Sequence, residues 1–132
     1  MILDTNFLSD LIDGEQEAWE KAKEIHGENN SNSITPIVLF ELYFGAKYDE
    51  NDELVRMVNN ILTMYNIEGM DIDAAKEGAT LLADADLQEG GESGVETEDA
   101  MIAGSAACNN HTVLTDNVLD FNKLGVDVEN FK

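Results

Sequence analysis

Short apolar runs that stop abruptly at a polar residue and pass at once into a helical spacing recur along this chain, and that alternation limits its fold more than any other feature. Met1, Ile2 and Leu3 give way at Asp4 to Phe7, Leu8, Leu11 and Ile12, spaced as one face of a helix that Gly14 ends. Residues 15–27 carry helix formers and an apolar stripe of Trp19, Ala22 and Ile25, followed by a polar loop at 28–32 and a predicted strand at 33–35. Pro36 suits a first helical turn, and Val38, Leu39, Leu42, Tyr43 and Ala46 mark the expected buried face of the helix it opens. An amphipathic helix is predicted at 52–65, a short strand at 66–70, and a helix at 71–87 with Ile72, Ala75, Ala79, Leu82 and Ala83 inward. After a Gly-rich loop at 89–94, residues 97–109 form a predicted helix of small and apolar residues. Thr112, Val113, Leu114 and Thr115 are the clearest strand, stopped by Asp116 and Asn117. Strands alternating with helices imply an α/β fold: a three-layer α/β/α arrangement around a mostly parallel sheet of about four to five strands. In such folds the chemistry gathers at the carboxyl ends of the strands.

The 132 residues are expected to form one domain, with no repeat or linker to divide them. No apolar stretch approaches the roughly 20 residues that a membrane span needs, and the amino end lacks the basic start and apolar run of a signal peptide. A lone cysteine, Cys108, cannot form an internal disulfide and reads as a small core residue. These features predict a soluble, cytoplasmic protein. The net charge of −21, from 28 acids against 7 Lys plus Arg, is unusual for a folded domain. Such self-repulsion disfavours compactness and repels nucleic acid, yet the apolar content argues against disorder. At 1 M salt the Debye length falls to about 3 Å and the repulsion is screened, so the composition predicts a halophilic source.

Several acids separated in sequence fall where strand ends would bring them together. Asp4 follows the first strand, Glu41 lies one and a half turns beyond Pro36, Asp99 stands in the first turn of the small-residue helix, and Asp116 and Asp120 follow the last predicted strand. Clustered carboxylates repel unless a divalent cation lies among them. Oxygen ligands without clustered His or Cys point to Mg²⁺ or Mn²⁺ rather than zinc. Phosphoryl chemistry is a natural use for such a site.

Four segments carry a family resemblance. Met1-Ile2-Leu3-Asp4-Thr5-Asn6 resembles the first motif of PIN-domain ribonucleases, particularly VapC-type toxins. The stretch from Ser33 through Thr35-Pro36-Ile37 and Glu41-Leu42 to Gly45-Ala46 is similar to their second motif, Glu98-Asp99-Ala100-Met101-Ile102-Ala103-Gly104 to their third, and Thr115-Asp116-Asn117-Val118-Leu119-Asp120-Phe121 to their fourth. Together, and in the family's order, they span almost the whole chain. The resemblance implies a Mg²⁺- or Mn²⁺-dependent endoribonuclease, the toxin of a toxin–antitoxin pair, in which Asp4 and Asp99 bind metal most directly and Glu41 completes the site. Asp116 and Asp120 both fall inside the fourth motif; proximity to the strand end favours Asp116 as the fourth metal ligand, leaving Asp120 as an outer ligand or a helix-capping group. Thr5 and Asn6 would orient Asp4, while Thr115 and Asn117 would hold water or phosphate. A homodimer and a cognate antitoxin that presents a basic side chain to the carboxylates are also implied. Apolar residues at 7–12 and 52–65 would either form the groove for such a partner or complete the monomer core.

Other features are bland. His26 and His111 have no ligand-like neighbours, Ser9 and Ser105 no accompanying base, the Gly90-Gly91 loop reads as flexible, and no cationic track for RNA is legible. Two competing readings remain. An aspartyl phosphatase or a phosphoreceiver would share the acid pocket, but Asn6 stands where the phosphatase needs a second Asp, and Lys123 lies far past Thr115 for a receiver. A non-catalytic binding module on the same fold is the other.

Overall fold

In the computed structural model, which describes residues 1–28 and 31–132, two-residue strands alternate with helices as the spacing predicts. The elements are β1 (Ile2–Leu3), α1 (Thr5–Ile12), α2 (Gln16–Gly27), β2 (Ser33–Ile34), α3 (Pro36–Tyr48), α4 (Asp52–Met64), β3 (Asn66–Ile67), α5 (Ile72–Gln88), α6 (Thr97–Cys108), β4 (Val113–Leu114), α7 (Val118–Lys123) and β5 (Val128–Glu129). Asn29 and Asn30, in the predicted loop at 28–32, lie outside the described residues. The strands form one sheet in the order β3-β2-β1-β4-β5, every neighbouring pair parallel. Helices flank this sheet, so β1, β2 and β4 are buried throughout, whereas β3 is an exposed edge.

Register places the site. Ile2 faces Ser33 on one side and Val113 on the other, and Leu3 faces Leu114. The next position on each strand is therefore a polar residue, with Thr35, Asp4 and Thr115 in a row where β2, β1 and β4 end. Asp4 stops its strand by capping α1, its Oδ1 accepting from the Thr5 N–H at 2.8 Å. Below that row, Ile2, Leu3, Phe7, Leu8, Ile34, Ile102, Leu114 and Phe121 are sealed in the core.

Four expectations need correction. The inward face of α5 is Ala74, Gly78 and Ala85, while Ile72 is exposed. The cause is the packing of α5 on α6, which brings backbone against backbone: a Cβ on Gly78 would meet the Ala100 carbonyl oxygen at 2.7 Å, and one on Gly104 the Ala74 oxygen at 2.4 Å. Contact by glycine and alanine leaves no bulky stripe to read. Trp19 is half exposed, because Ala18, Ala22 and Ile25 make the buried face of α2. Cys108 ends α6 and is exposed rather than in the core. The strand expected at 66–70 is confined to Asn66–Ile67. Two elements were also not anticipated, the short α7 and the edge strand β5, each too brief for periodicity to mark.

Candidate active site

The row at the strand ends organises the acids through hydroxyl and amide groups. Asp4 is only 4% exposed; Thr115 Oγ1 donates to its Oδ2 at 2.7 Å. That same hydroxyl oxygen accepts from the Asn117 N–H at 2.9 Å and from Asn6 Nδ2 at 3.1 Å. Thr5, opening α1, donates its hydroxyl to Glu41 Oε1 on α3 at 3.0 Å. Asn117 Nδ2 lies 3.1 Å from both Asp99 Oδ2 and Asp120 Oδ2, bridging α6 to α7. Thr5, Asn6, Thr115 and Asn117 are thus the braces of the acid group.

The carboxyl groups feel one another. Asp99 is pushed up to about 7, first by burial and then by the charges of Asp4, Asp120, Glu41 and Glu98. Burial also raises Asp4 against the pull of its Thr115 and Thr5 hydrogen bonds, with the charge of Asp116 adding to the rise. Glu41 is raised by burial and by Asp4 and Glu98, with the Thr5 hydroxyl opposing. A group of acids that hold protons this tightly is one that a divalent cation would relieve.

The structure separates the two acids of the last motif. Asp116 turns to Lys132, Oδ2 to Nζ 2.9 Å, and Lys132 also reaches Asp10 at 3.4 Å. Asp120 is the one joined to Asp99 through Asn117. The chain turns into α7 after Asn117, carrying Asp120 towards α6, whereas Asp116, the acid expected from proximity to the strand end, points to Lys132. Asp116 still acts on Asp4 through its charge. Sequence reasoning missed Glu98, which nonetheless presses on both Asp99 and Glu41, and Lys132, which no motif marks. Lys132 is brought in because its neighbour Phe131 packs edge-to-face on Phe7 of α1, ring centroids 5.2 Å apart.

A hard divalent cation fits this donor set: Asp4, Glu41, Asp99 and Asp120 offer only oxygen ligands, and the nearby ammonium, Lys132, is engaged by Asp116 and Asp10. Among the described residues, no three acids already stand in gripping geometry; Thr5, Thr115 and Asn117 are interposed between them. The histidines are occupied elsewhere, His26 with the Tyr65 hydroxyl at 3.1 Å and His111 with Glu68 at 3.1 Å. No helix among the described residues is long and apolar enough to cross a membrane.

Residues 1–125 match the family model described as PIN domain. No curated protein matches the chain. Among solved structures, VapBC2 from Rickettsia felis, bound to a DNA fragment from its promoter, is similar at 22% identity and a TM-score of 0.85, covering 99% of this chain and 98% of that one. DNA-bound VapBC from Salmonella typhimurium is similar at 23% identity and a TM-score of 0.81, covering 99% and 97%. A toxin–antitoxin complex from Klebsiella pneumoniae reaches 27% identity with a TM-score of 0.67 over 91% and 88%.

Proposed function

The chain belongs to the PIN-domain family, and from that premise we propose that it is a Mg²⁺- or Mn²⁺-dependent endoribonuclease acting as the toxin of a toxin–antitoxin pair. The observation that carries this reading is the group of acids from the end of β1, α3, α6 and α7, with Asp99 held up to about 7 by burial and then by the charges of its neighbours. Asp4, Glu41 and Asp99 would hold the ion, with Asp120 as the fourth acid and Asp116 set outward. Such an ion supplies Lewis-acid polarisation of the phosphate and a more acidic water.

The protein's own part is orientation. Thr115 and the Thr5 N–H fix both oxygens of Asp4, so its carboxylate is aimed before substrate arrives. The Thr5 hydroxyl holds Glu41 Oε1, leaving Oε2 to accept a proton from water as the water oxygen attacks phosphorus. The P–O bond to the leaving ribose breaks, and that oxygen takes up a proton from solvent. Asn117 keeps Asp99 and Asp120 from swinging apart.

Two features count against a phosphoreceiver or phosphatase. Lys123 donates to the Ser93 carbonyl at 3.0 Å, away from the acids. Asn6 fills the place of a second nucleophilic partner and braces Thr115. The three similar complexes are of toxin–antitoxin type, and a cavity of about 350 Å³ between α1, α2 and α4, lined by Leu11, Ile12, Trp19, Met57, Ile61 and Met64, offers an apolar cleft for an antitoxin segment. An Arg on that segment would pair with the carboxylates by bidentate hydrogen bonds. We read the protein as a cytoplasmic homodimer and its charge as adaptation to high salt. The test is incubation with RNA and Mn²⁺ in molar salt: cleavage is expected, and it should vanish with chelator and with Asp4→Asn. A covalent phosphate acquired from a phosphoryl donor, with RNA left intact, would overturn the reading.

A further inference from the structure

The row at the strand ends contains one polar group that nothing satisfies. Thr35 is fully buried, and its Oγ1 has no hydrogen-bond partner among the described residues. It precedes α3 as Asp4 precedes α1, with nearly the same extended backbone, φ −89° and ψ 157° against φ −80° and ψ 161°. Yet the Asp4 side chain caps its helix, and the Thr35 side chain caps nothing. Register sets Thr35 level with Asp4, on the side opposite Thr115. The other two hydroxyls around the acids are both engaged, Thr115 with Asp4 and Thr5 with Glu41.

A buried hydroxyl left unpaired costs free energy, and valine would fill the same space without that cost. The position therefore makes sense if the hydroxyl finds its partner in another state of the site. Resting on the metal-site reading above, we propose that Thr35 is a positioning residue of that site, its hydroxyl hydrogen-bonded to the hydration shell of the divalent ion held by Asp4, Glu41 and Asp99. Groups in this role orient what the ligands hold, and their removal weakens metal binding without removing a ligand.

The test is calorimetric titration with Mn²⁺ alone, at molar salt and constant ionic strength, alongside thermal melts in chelator, for the wild type, Thr35→Val, Thr35→Ser and Asp99→Asn. Thr35→Val is expected to raise the Kd for Mn²⁺ about tenfold to a hundredfold while Thr35→Ser stays within about threefold. In chelator, Thr35→Val should melt at or above the wild type. Mn²⁺ binding by Thr35→Val as tight as the wild type's would overturn the inference and leave the acid site standing. So would a loss of cation-free stability in Thr35→Val that Thr35→Ser does not share, because the hydroxyl would then be serving the fold. Absence of Mn²⁺ binding in the wild type, or binding indifferent to Asp99→Asn, would overturn the metal-site reading itself.

Discussion

Replacing Asp99 by asparagine in the cation-free protein should stabilise it, by an amount that grows with pH. The folded chain holds the Asp99 proton up to about pH 7, whereas an unfolded aspartate releases it near its ordinary value of 3.8. A group whose folded value is raised contributes stability that is complete below the unfolded value and lost as pH rises through the folded one. The window here runs from about pH 4 to about pH 7. At 1.36 kcal/mol per unit, the full cost of ionising Asp99 in the fold is bounded at about 4 kcal/mol. Asp99 keeps partial contact with water, so screening should leave roughly 2 kcal/mol. Asparagine removes the charge, while its amide oxygen can still accept from Asn117 as the carboxylate does at 3.1 Å. Urea unfolding of wild type and Asp99→Asn in chelator, at fixed ionic strength, measures the difference. The advantage of Asp99→Asn should be small near pH 4, widen to about pH 7 and then level off. A pH-independent difference, or a destabilised variant at alkaline pH, would show that the acids do not share a repulsive pocket.

Three further outcomes follow. Gly104→Ala should cost about 3 kcal/mol or more in urea unfolding, because its methyl would meet the Ala74 oxygen at 2.4 Å and the Gly78 backbone at 2.6–2.7 Å, where no flexible side chain can yield. In RNA cleavage assays, Asp120→Asn should lose at least about tenfold in rate, the low end of what disturbing a ligand shell costs, while Asp116→Asn stays near wild type; the reverse order would restore Asp116 as the fourth acid. Because the net charge is −21, the melting temperature should climb steadily from low salt to molar salt, and a flat profile would remove the case for a halophilic origin.

The alternation of apolar runs and helical spacing made the sheet and most helices legible, because parallel strands buried on both faces are mostly apolar and here β1, β2 and β4 each give way to a polar residue, Asp4, Thr35 and Thr115. Asp4, Glu41, Asp99 and their braces were legible for the same reason: each follows or faces a strand end. What stayed hidden depends on contacts between distant segments. The different surroundings of Asp116 and Asp120 arise from the turn into α7 and from Lys132, whose neighbour Phe131 docks on Phe7. The inward face of α5 is set by glycines at its contact with α6, where there is no large side chain to betray the phase. Glu98 looked like one acid among 28, and only the fold shows it pressing on Asp99 and Glu41. The unpaired hydroxyl of Thr35 is likewise a fact of packing.

The central claim is that these acids direct water at the phosphorus of an RNA phosphodiester, and the chemistry of the cut ends tests it most directly. An RNA substrate and a copy carrying a single deoxyribose at the mapped cleavage position should be digested with Mn²⁺ in molar salt by the wild type and by Asp99→Asn, and the termini analysed by mass. Attack by water predicts that the wild type cuts both substrates, leaves a phosphomonoester on one fragment and a hydroxyl on the other, and that Asp99→Asn cuts neither. A cyclic 2′,3′-phosphate, with the deoxyribose position resistant to cleavage, would mean that the ribose hydroxyl is the nucleophile and would contradict the account.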